Sequence, residues 1–303
     1  MKNIQNKKIL IAGGKGFLGT ALFRYFTNNQ NVVWLLTRNP KNKQDIYWDG
    51  KTLGEWTDKI DLADIVINLC GKSVDCRYTE KNKKSILDSR IRPTKILDEA
   101  IAKSTTKPSV FINASSSTVY VHSEDTPMTE SAGIIGNDFS ENIVKAWEAA
   151  FFENKMEGVK KAALRISFVL GKDGGAIPKL ATFAKLGLGG QQGNGKQMIS
   201  WIHVEDFCVA VDRIIQRDNL QGAINLASPH PVSNKDFMAY FRKIVHAPFH
   251  IPQPAWLLEI GTFFLRTETE LVLKSRYIHP EVLLEDGFEF KYPRLEEIDN
   301  LLT

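Results

Sequence analysis

The stretch Lys8–Gly19, KILIAGGKGFLG, limits what this chain can fold into more than any other, because a short apolar strand runs directly into a glycine-rich turn and then a helix. Ile9, Leu10, Ile11 and Ala12 lack polar alternation and read as a strand buried on both faces. Phe17, Leu18, Ala21, Leu22, Tyr25 and Phe26 follow at helical spacing. The glycines between them have separate tasks: a tight turn, close approach of the backbone to a pyrophosphate, and close packing of helix on strand. The helix N-terminus adds unpaired N–H groups that suit phosphate. The double glycine permits two readings, Gly14-x-Gly16-x-x-Gly19 and Gly13-x-x-Gly16-x-x-Gly19. Either sits in the strand–turn–helix context that a dinucleotide site requires, so Gly13, Gly14, Gly16, Phe17, Leu18 and Gly19 are expected at the cofactor.

The next strand, VVWLL (Val32–Leu36), is expected beside the first, and its end reads Thr37-Arg38. An NAD site usually places an acid there for the ribose hydroxyls, whereas arginine suits the 2′-phosphate of NADP by charge and fork geometry. Thr37 and Arg38 therefore point to NADP. Lys41 and Lys43 follow in NPKNK, which reads as a solvated loop.

The chain's 303 residues, 43% of them apolar, are ample for one large domain or a large and a small one. The net charge of +4 is spread along the sequence and does not describe a nucleic-acid surface. The basic run Lys81–Lys84 reads as the exposed start of a helix. Cys70, Cys76 and Cys208 have no metal-ligand spacing, so no metal site is implied and reduced thiols are expected. The opening MKNIQNKK lacks the apolar run of a signal peptide and no later run reaches membrane-spanning length, so a cytoplasmic protein off the membrane is expected.

Strand and helix signals keep alternating. IVINLC (Ile65–Cys70), SVFINAS (Ser109–Ser115) and AALRISFVL (Ala162–Leu170) read as further strands, giving an α/β fold with a Rossmann-type doubly wound parallel sheet. The stripe Ile143, Trp147, Ala150, Phe151 and the stripe Phe207, Ala210, Val211, Ile214, Ile215 read as core-facing helix sides. A helix from about Thr79 to Ala102 contains Pro93, which is expected to kink or restart it. The shift at Ala247–Pro254, APFHIPQP, divides an expected NADP-binding domain, 1–246, from a small C-terminal cap, 247–303. Substrate-loop insertions are expected at about 171–202, where Gly187, Gly189, Gly190, Gly193 and Gly195 form a covering loop. In the cap, Leu283, Phe288 and Phe290 are expected to pack onto the main domain.

With these elements placed, the chain resembles the extended short-chain dehydrogenases, the NAD(P)-dependent epimerase/dehydratase superfamily, to which the Gly13-x-x-Gly16-x-x-Gly19 spacing belongs. CRYTEKNKKSILDSRIRPT, DFSENIVKAWEAA, GLGGQQGNGKQMISWIHVEDF and HPEVLLEDGFEFKYP narrow the resemblance to its uncharacterised epimerase-family oxidoreductases with a short extra C-terminal domain, a group sometimes labelled cell-division-inhibitor-like. It runs from about Lys8 to Leu301. The superfamily implies a Tyr-x-x-x-Lys pair on the helix after the fifth strand, and the pair is missing here. Framed on Glu148, Ser140 and Val144 occupy its places; framed on Lys145, Glu141 replaces the tyrosine. Tyr47 and Lys51 have the spacing but precede the strands that would carry it.

Other pieces of such a site remain. SSSTVY (Ser115–Tyr120) matches the segment whose hydroxyl holds the reacting oxygen, which the resemblance places on Ser116, with Ser115 beside the cofactor. Tyr120, or His122, is a candidate proton donor in place of the missing tyrosine. Asn68, Cys70 and Gly71 end the fourth strand along the cofactor, and Arg90, which falls where a helix residue faces the cleft, is expected to bind the cofactor too. Arg77, Arg165 and His203 are candidate substrate contacts, although His203 reads equally as structural, with Asp206 orienting it or its loop. The sequence thus points to an NADP-dependent oxidoreductase transferring a hydride to or from a small molecule, as a monomer or homodimer. A non-catalytic NADP sensor is the alternative, and a nucleotide-sugar epimerase/dehydratase a weaker third.

Overall fold

A computed structural model describes residues 3–175, 177–247, 249–254, 268 and 270–298. In chain order the first half runs β1 (Lys8–Ala12), α1 (Phe17–Asn28), β2 (Val32–Thr37), β3 (Asp45–Tyr47), β4 (Ile65–Asn68), α2 (Glu80–Lys103), β5 (Val110–Ser116) and α3 (Phe139–Phe152). Then come β6 (Lys160–Ile166), β7 (Phe168–Leu170), α4 (Ile177–Lys185), β8 (Met198–Ile199), β9 (Trp201–His203), α5 (Val204–Gln216), β10 (Gly222–Leu226), β11 (Val232–Ser233) and α6 (Asn234–Ile244). Seven strands form one parallel sheet in the order β10-β6-β5-β4-β1-β2-β3. This is the doubly wound arrangement expected from the alternating pattern.

Period-2 side-chain alternation explains why β1 is apolar throughout. Ile9 and Ile11 enter a core with Leu22 and Phe26 of α1 and Phe207 and Val211 of α5. Leu10 and Ala12 face the opposite way, into a core with Leu97 and Ile101 of α2 and Phe151 of α3. Each fully buried aliphatic side chain contributes about 1.5–3 kcal/mol, so a strand covered on both faces is held firmly. The chain winds outward from β1 to β3, then returns to β4 and winds the other way. The carboxyl ends of β1 and β4 therefore open a crevice at the point where strand order reverses.

The helix does not restart at Pro93. α2 runs without interruption from Glu80 to Lys103, and Thr79 caps it by accepting the Asn82 N–H at 3.3 Å. Pro93 is buried, so packing holds the helix through the lost donor. The glycine-rich stretch after α4 is likewise tied down: Gly193 N donates to Gln253 O at 2.8 Å and Gln192 N to Asn234 Oδ1 at 2.8 Å.

Near the C-terminus, residues 276–279 lie between β8 and the loop that follows β5. Arg276 N donates to Met198 O at 2.8 Å, Met128 N to Tyr277 O at 2.7 Å, and His279 N to Met128 O at 2.9 Å. Leu283 and Phe288 join the core on the α1/α5 side. No helix among the described residues is long and apolar enough to cross a membrane.

Candidate functional site

The glycines of the first turn divide by what a side chain would meet. Gly13 has φ +75°, and a Cβ there would lie 2.8 Å from the Leu69 carbonyl carbon. A Cβ at Gly14 would reach 2.5 Å from Leu35 Cδ2, and one at Gly19 would reach 2.5 Å from Gly14 Cα. At Gly13 and Gly19 the close atoms are backbone, so the fold itself requires glycine there, whereas at Gly14 the Leu35 side chain can give way. Gly16 differs. It is the N-cap of α1 at φ −78°, and a Cβ there would meet only Gly13 O, at 3.6 Å. That open rim, with the helix N–H groups behind it, is the space a pyrophosphate needs. Phe17 turns away, its ring beside Gly171 and Gly174, while Leu18 packs on the core, leaving their backbones to the turn.

At the end of β2, Thr37 Oγ1 accepts the Asn39 N–H at 3.2 Å. Arg38 is exposed, and no described residue hydrogen-bonds or ion-pairs with it. Asp45, the acid on neighbouring β3, is occupied: Lys15 Nζ donates to it at 2.8 Å, as do Lys41 N at 2.8 Å and Asn42 N at 2.9 Å. The rim beside Arg38 thus has a free guanidinium and a neutralised carboxylate, which fits a 2′-phosphate better than bare ribose hydroxyls. Arg38 also faces Cys70, whose thiol is pushed up to about 12 by desolvation, with the guanidinium charge opposing the shift.

Below the crevice, Asn68 and Asn113, side by side on β4 and β5, form a buried amide pair, Asn68 Nδ2 donating to Asn113 Oδ1 at 2.6 Å. Thr94 of α2 donates to Asn113 at 3.1 Å and accepts from Trp147 Nε1 of α3 at 3.0 Å, so both helices are fixed to the strand ends. Asn68 Oδ1 also accepts the Cys70 N–H at 3.1 Å, shaping the turn into Gly71. Asn68 is fully buried in this network and reaches a cofactor only through the backbone it shapes. Arg90 lies against Gly71, where a Cβ would be 3.4 Å from its Cζ.

A second network joins several predicted residues without leaving them free. Arg165 makes a two-pronged ion pair with Glu148, Nε to Oε1 at 2.9 Å and Nη2 to Oε2 at 2.8 Å, and Ser115 Oγ donates to the same carboxylate at 2.6 Å. Arg165 Nη1 donates to the Tyr120 oxygen at 2.7 Å, and that hydroxyl donates to Asn225 Oδ1 at 3.0 Å. Tyr120 is fully buried, so its proton is committed inside the fold; as a proton donor to substrate it is corrected to a core residue. Arg165 is thus half of a two-pronged ion pair, and Ser115 contacts the same carboxylate. His203 is buried, with its acidity set by desolvation at about 4, and its Nδ1 accepts Glu205 N at 3.3 Å as the cap of α5. It is structural, and Asp206 holds Lys291 N at 2.8 Å and Tyr292 N at 2.9 Å rather than the histidine.

Ser116, half-buried at the tip of β5, accepts the Thr118 N–H at 3.2 Å and contacts Thr118 Oγ1 at 3.0 Å. His122 Nδ1 accepts Ser275 N at 3.0 Å, and its other nitrogen stands 3.8 Å from Glu124. Arg77 lies 4.0 Å from Glu268. On α3, Val144 is buried in core, and Glu141 is buried against Lys274. Sequence reasoning passed over Glu148 as a partner of Arg165, Tyr78 beside the cleft, and Lys274 and Arg276. Glu148 carried a signal, since it falls on the same helix side as Val144, Trp147 and Phe151; Lys274 and Arg276 carried none.

Comparison with known proteins places this geometry. Residues 9–227 match the model of the NAD dependent epimerase/dehydratase family, and residues 253–298 match a domain of unknown function, DUF1731. The epimerase family protein YfhF of Bacillus subtilis is 31% identical over 295 residues, covering 95% of each chain. The epimerase family protein ML0860 of Mycobacterium leprae is 31% identical over 294 residues, covering 95% of this chain and 93% of that protein. Among solved structures, the human epimerase family protein SDR39U1 with NADPH superposes with a TM-score of 0.86 at 26% identity, covering 97% of this chain and 99% of that one. Fold, glycine turn and sequence match agree: the chain belongs to the NAD-dependent epimerase/dehydratase family.

Proposed function

We propose that this protein is an NADP-dependent oxidoreductase acting on a small molecule in the crevice at the carboxyl ends of β1, β4 and β5. The observation that carries the reading is the pairing of open space at Gly16 with the unpartnered Arg38 at the end of β2. The NADPH held by the human relative supports the choice of NADP. Gly13, Gly14, Gly16 and Gly19 form the phosphate turn, with Phe17 and Leu18 contributing backbone N–H groups; Thr37 and Arg38 meet the adenosine end; Cys70 and Gly71 line the strand end over Asn68. When bound, the cofactor supplies or accepts a hydride. Ser116, half-buried at the mouth, hydrogen-bonds the reacting oxygen of the substrate. α3 carries no Tyr-x-x-x-Lys pair in either frame, so a proton comes from substrate, water or His122, and turnover is slow, since a positioned acid contributes about 10²–10⁴-fold.

A second reading, an NADP-binding sensor without chemistry, is favoured by one observation: Val144, which takes the lysine place in the frame on Glu148, is sealed in core. Incubating the protein with NADPH and a panel of aldehydes, ketones, enones and imines separates the two. Stereospecific loss of the 4-hydride, slowed in Ser116→Ala at unchanged NADPH affinity, is the result expected of the enzyme. Tight NADPH binding with no oxidation on any member leaves the sensor.

A further inference from the structure

Two stretches of this chain contain no acid: the residues between Asp173 and Glu205, and those between Asp236 and Glu259. The fold brings them together. The turn that leaves α4 meets the segment that follows α6 at Gly187, whose carbonyl accepts the Ile251 N–H at 2.9 Å. The Phe249 ring lies so close to Gly187 that a Cβ there would stand 2.2 Å from its Cε2. Gln253 Nε2 donates to Leu188 O at 2.6 Å and Arg242 Nη1 of α6 to Gly189 O at 2.7 Å, so the backbone of the junction is fixed. Its apolar side chains nevertheless stand in solvent: Leu186 is 64% exposed, Leu188 39%, Phe249 58% and Ile251 50%. Four of the eleven large apolar side chains exposed among the described residues thus sit on one small junction, whereas scattered single ones would need no explanation.

Around them the charge has one sign. Lys185, Lys243, His246 and His250 are all exposed, and none pairs with an acid among the described residues. The acids that bound the two stretches are engaged elsewhere: Asp173 pairs with Arg24 at 2.7 Å, Glu205 with Lys291 at 2.7 Å, and Asp236 accepts the Ser233 hydroxyl at 2.6 Å. An apolar knob ringed by unneutralised lysines suits an anionic lipid surface, where apolar atoms enter the headgroup boundary and the cations stay at the phosphates. A second copy of this chain would bring like charges together. The cations also differ from those that read one fixed carboxylate on a protein. Lysines are point charges on long stems and match a fluid array of phosphates, while the guanidinium fork of Arg242 is turned to backbone.

We propose that this face, Leu186, Leu188, Phe249 and Ile251 with Lys185 and Lys243, docks the protein onto an anionic lipid surface. The contact lies on the membrane and does not span it, and it revises the expectation of a protein off the membrane. It goes beyond the oxidoreductase reading and does not depend on it.

The test is co-sedimentation of the full chain with vesicles of phosphatidylcholine alone and of phosphatidylcholine with phosphatidylglycerol, at physiological ionic strength. Binding is expected to the vesicles that contain phosphatidylglycerol and to be much weaker on phosphatidylcholine alone. Leu186→Ser with Phe249→Ser is expected to weaken it by about tenfold or more, through lost apolar burial. Lys185→Gln with Lys243→Gln is expected to weaken it by about tenfold or more, through lost attraction to the headgroups, and serves if the serine pair does not fold. All four side chains are exposed, so melting temperature is expected to hold in both pairs. Lys81→Gln with Lys84→Gln removes the same charge from the exposed start of α2 and is expected to leave binding intact. Equal weakening by the α2 pair would mean attraction to net charge rather than to this face, and overturns the proposal. So does binding that the serine pair leaves unchanged. No binding to either vesicle also overturns it, whether sedimentation equilibrium then shows the face joining two copies or a monomer.

Discussion

Exchanging Gly16 for valine separates the two kinds of glycine in the phosphate turn. A Cβ at Gly16 would meet only Gly13 O, at 3.6 Å, an ordinary contact, and φ −78° with ψ 174° is open to any residue. The folded chain then loses only the difference between glycine and valine at an N-cap, about 1 kcal/mol, or roughly 2–4 °C in melting temperature. The added side chain fills the place of the pyrophosphate, so at least one charge-assisted hydrogen bond is lost, about 1.5–3 kcal/mol, or about 10- to 150-fold in affinity. Gly19→Ala is the contrast: its Cβ would stand 2.5 Å from Gly14 Cα and 2.8 Å from Gly13 O, both backbone, so the turn must move. That overpacking costs about 1–3 kcal/mol and loses binding as well. Fluorescence titration with NADPH alongside thermal melts gives both quantities. A Gly16→Val protein that binds NADPH within about threefold of wild type, or a Gly19→Ala protein that melts unchanged, refutes the division.

Two further outcomes follow from buried charge. Glu148→Ala strands Arg165, whose side chain is 11% exposed, and is expected to destabilise by about 3–5 kcal/mol, whereas Glu148→Leu with Arg165→Met recovers most of the loss; chemical denaturation of the singles and the double checks it. His203, held neutral with its folded value lowered to about 4 against about 6.5 when unfolded, gives stability that is fully present above about pH 6.5 and falls as pH is lowered toward 4. The slope is at most about 1.4 kcal/mol per pH unit, and His203→Asn, which can still cap α5, is expected to flatten it; identical acid losses in the two proteins speak against this origin.

The fold was legible because its signals are local. The apolar run of β1, the glycine turn and the stripe on α5 each follow from a few neighbouring residues, and the doubly wound parallel sheet follows from alternating strand and helix. The place of Arg38 just past β2 was legible for the same reason, since β2 lies beside β1. The polar partners were not. Nothing near Tyr120 announces that Asn225 and Arg165 enclose its hydroxyl, because those residues meet only when β6 and β10 lie side by side. Pro93 does not restart its helix for a related reason: burial holds the helix together through the lost donor. Lys274 and Arg276 lie in a stretch without periodicity, so nothing local announces that Lys274 meets Glu141 of α3.

Parallel titration of wild type and Arg38→Ala with NADPH and NADH tests the central claim most directly, because Arg38 is the residue we propose to hold the 2′-phosphate of NADP. Wild type is expected to prefer NADPH by about 10- to 100-fold. Arg38→Ala is expected to lose that preference by weakening NADPH alone, with NADH unchanged. Equal affinities in wild type, or an undiminished preference for NADPH in Arg38→Ala, would contradict the account.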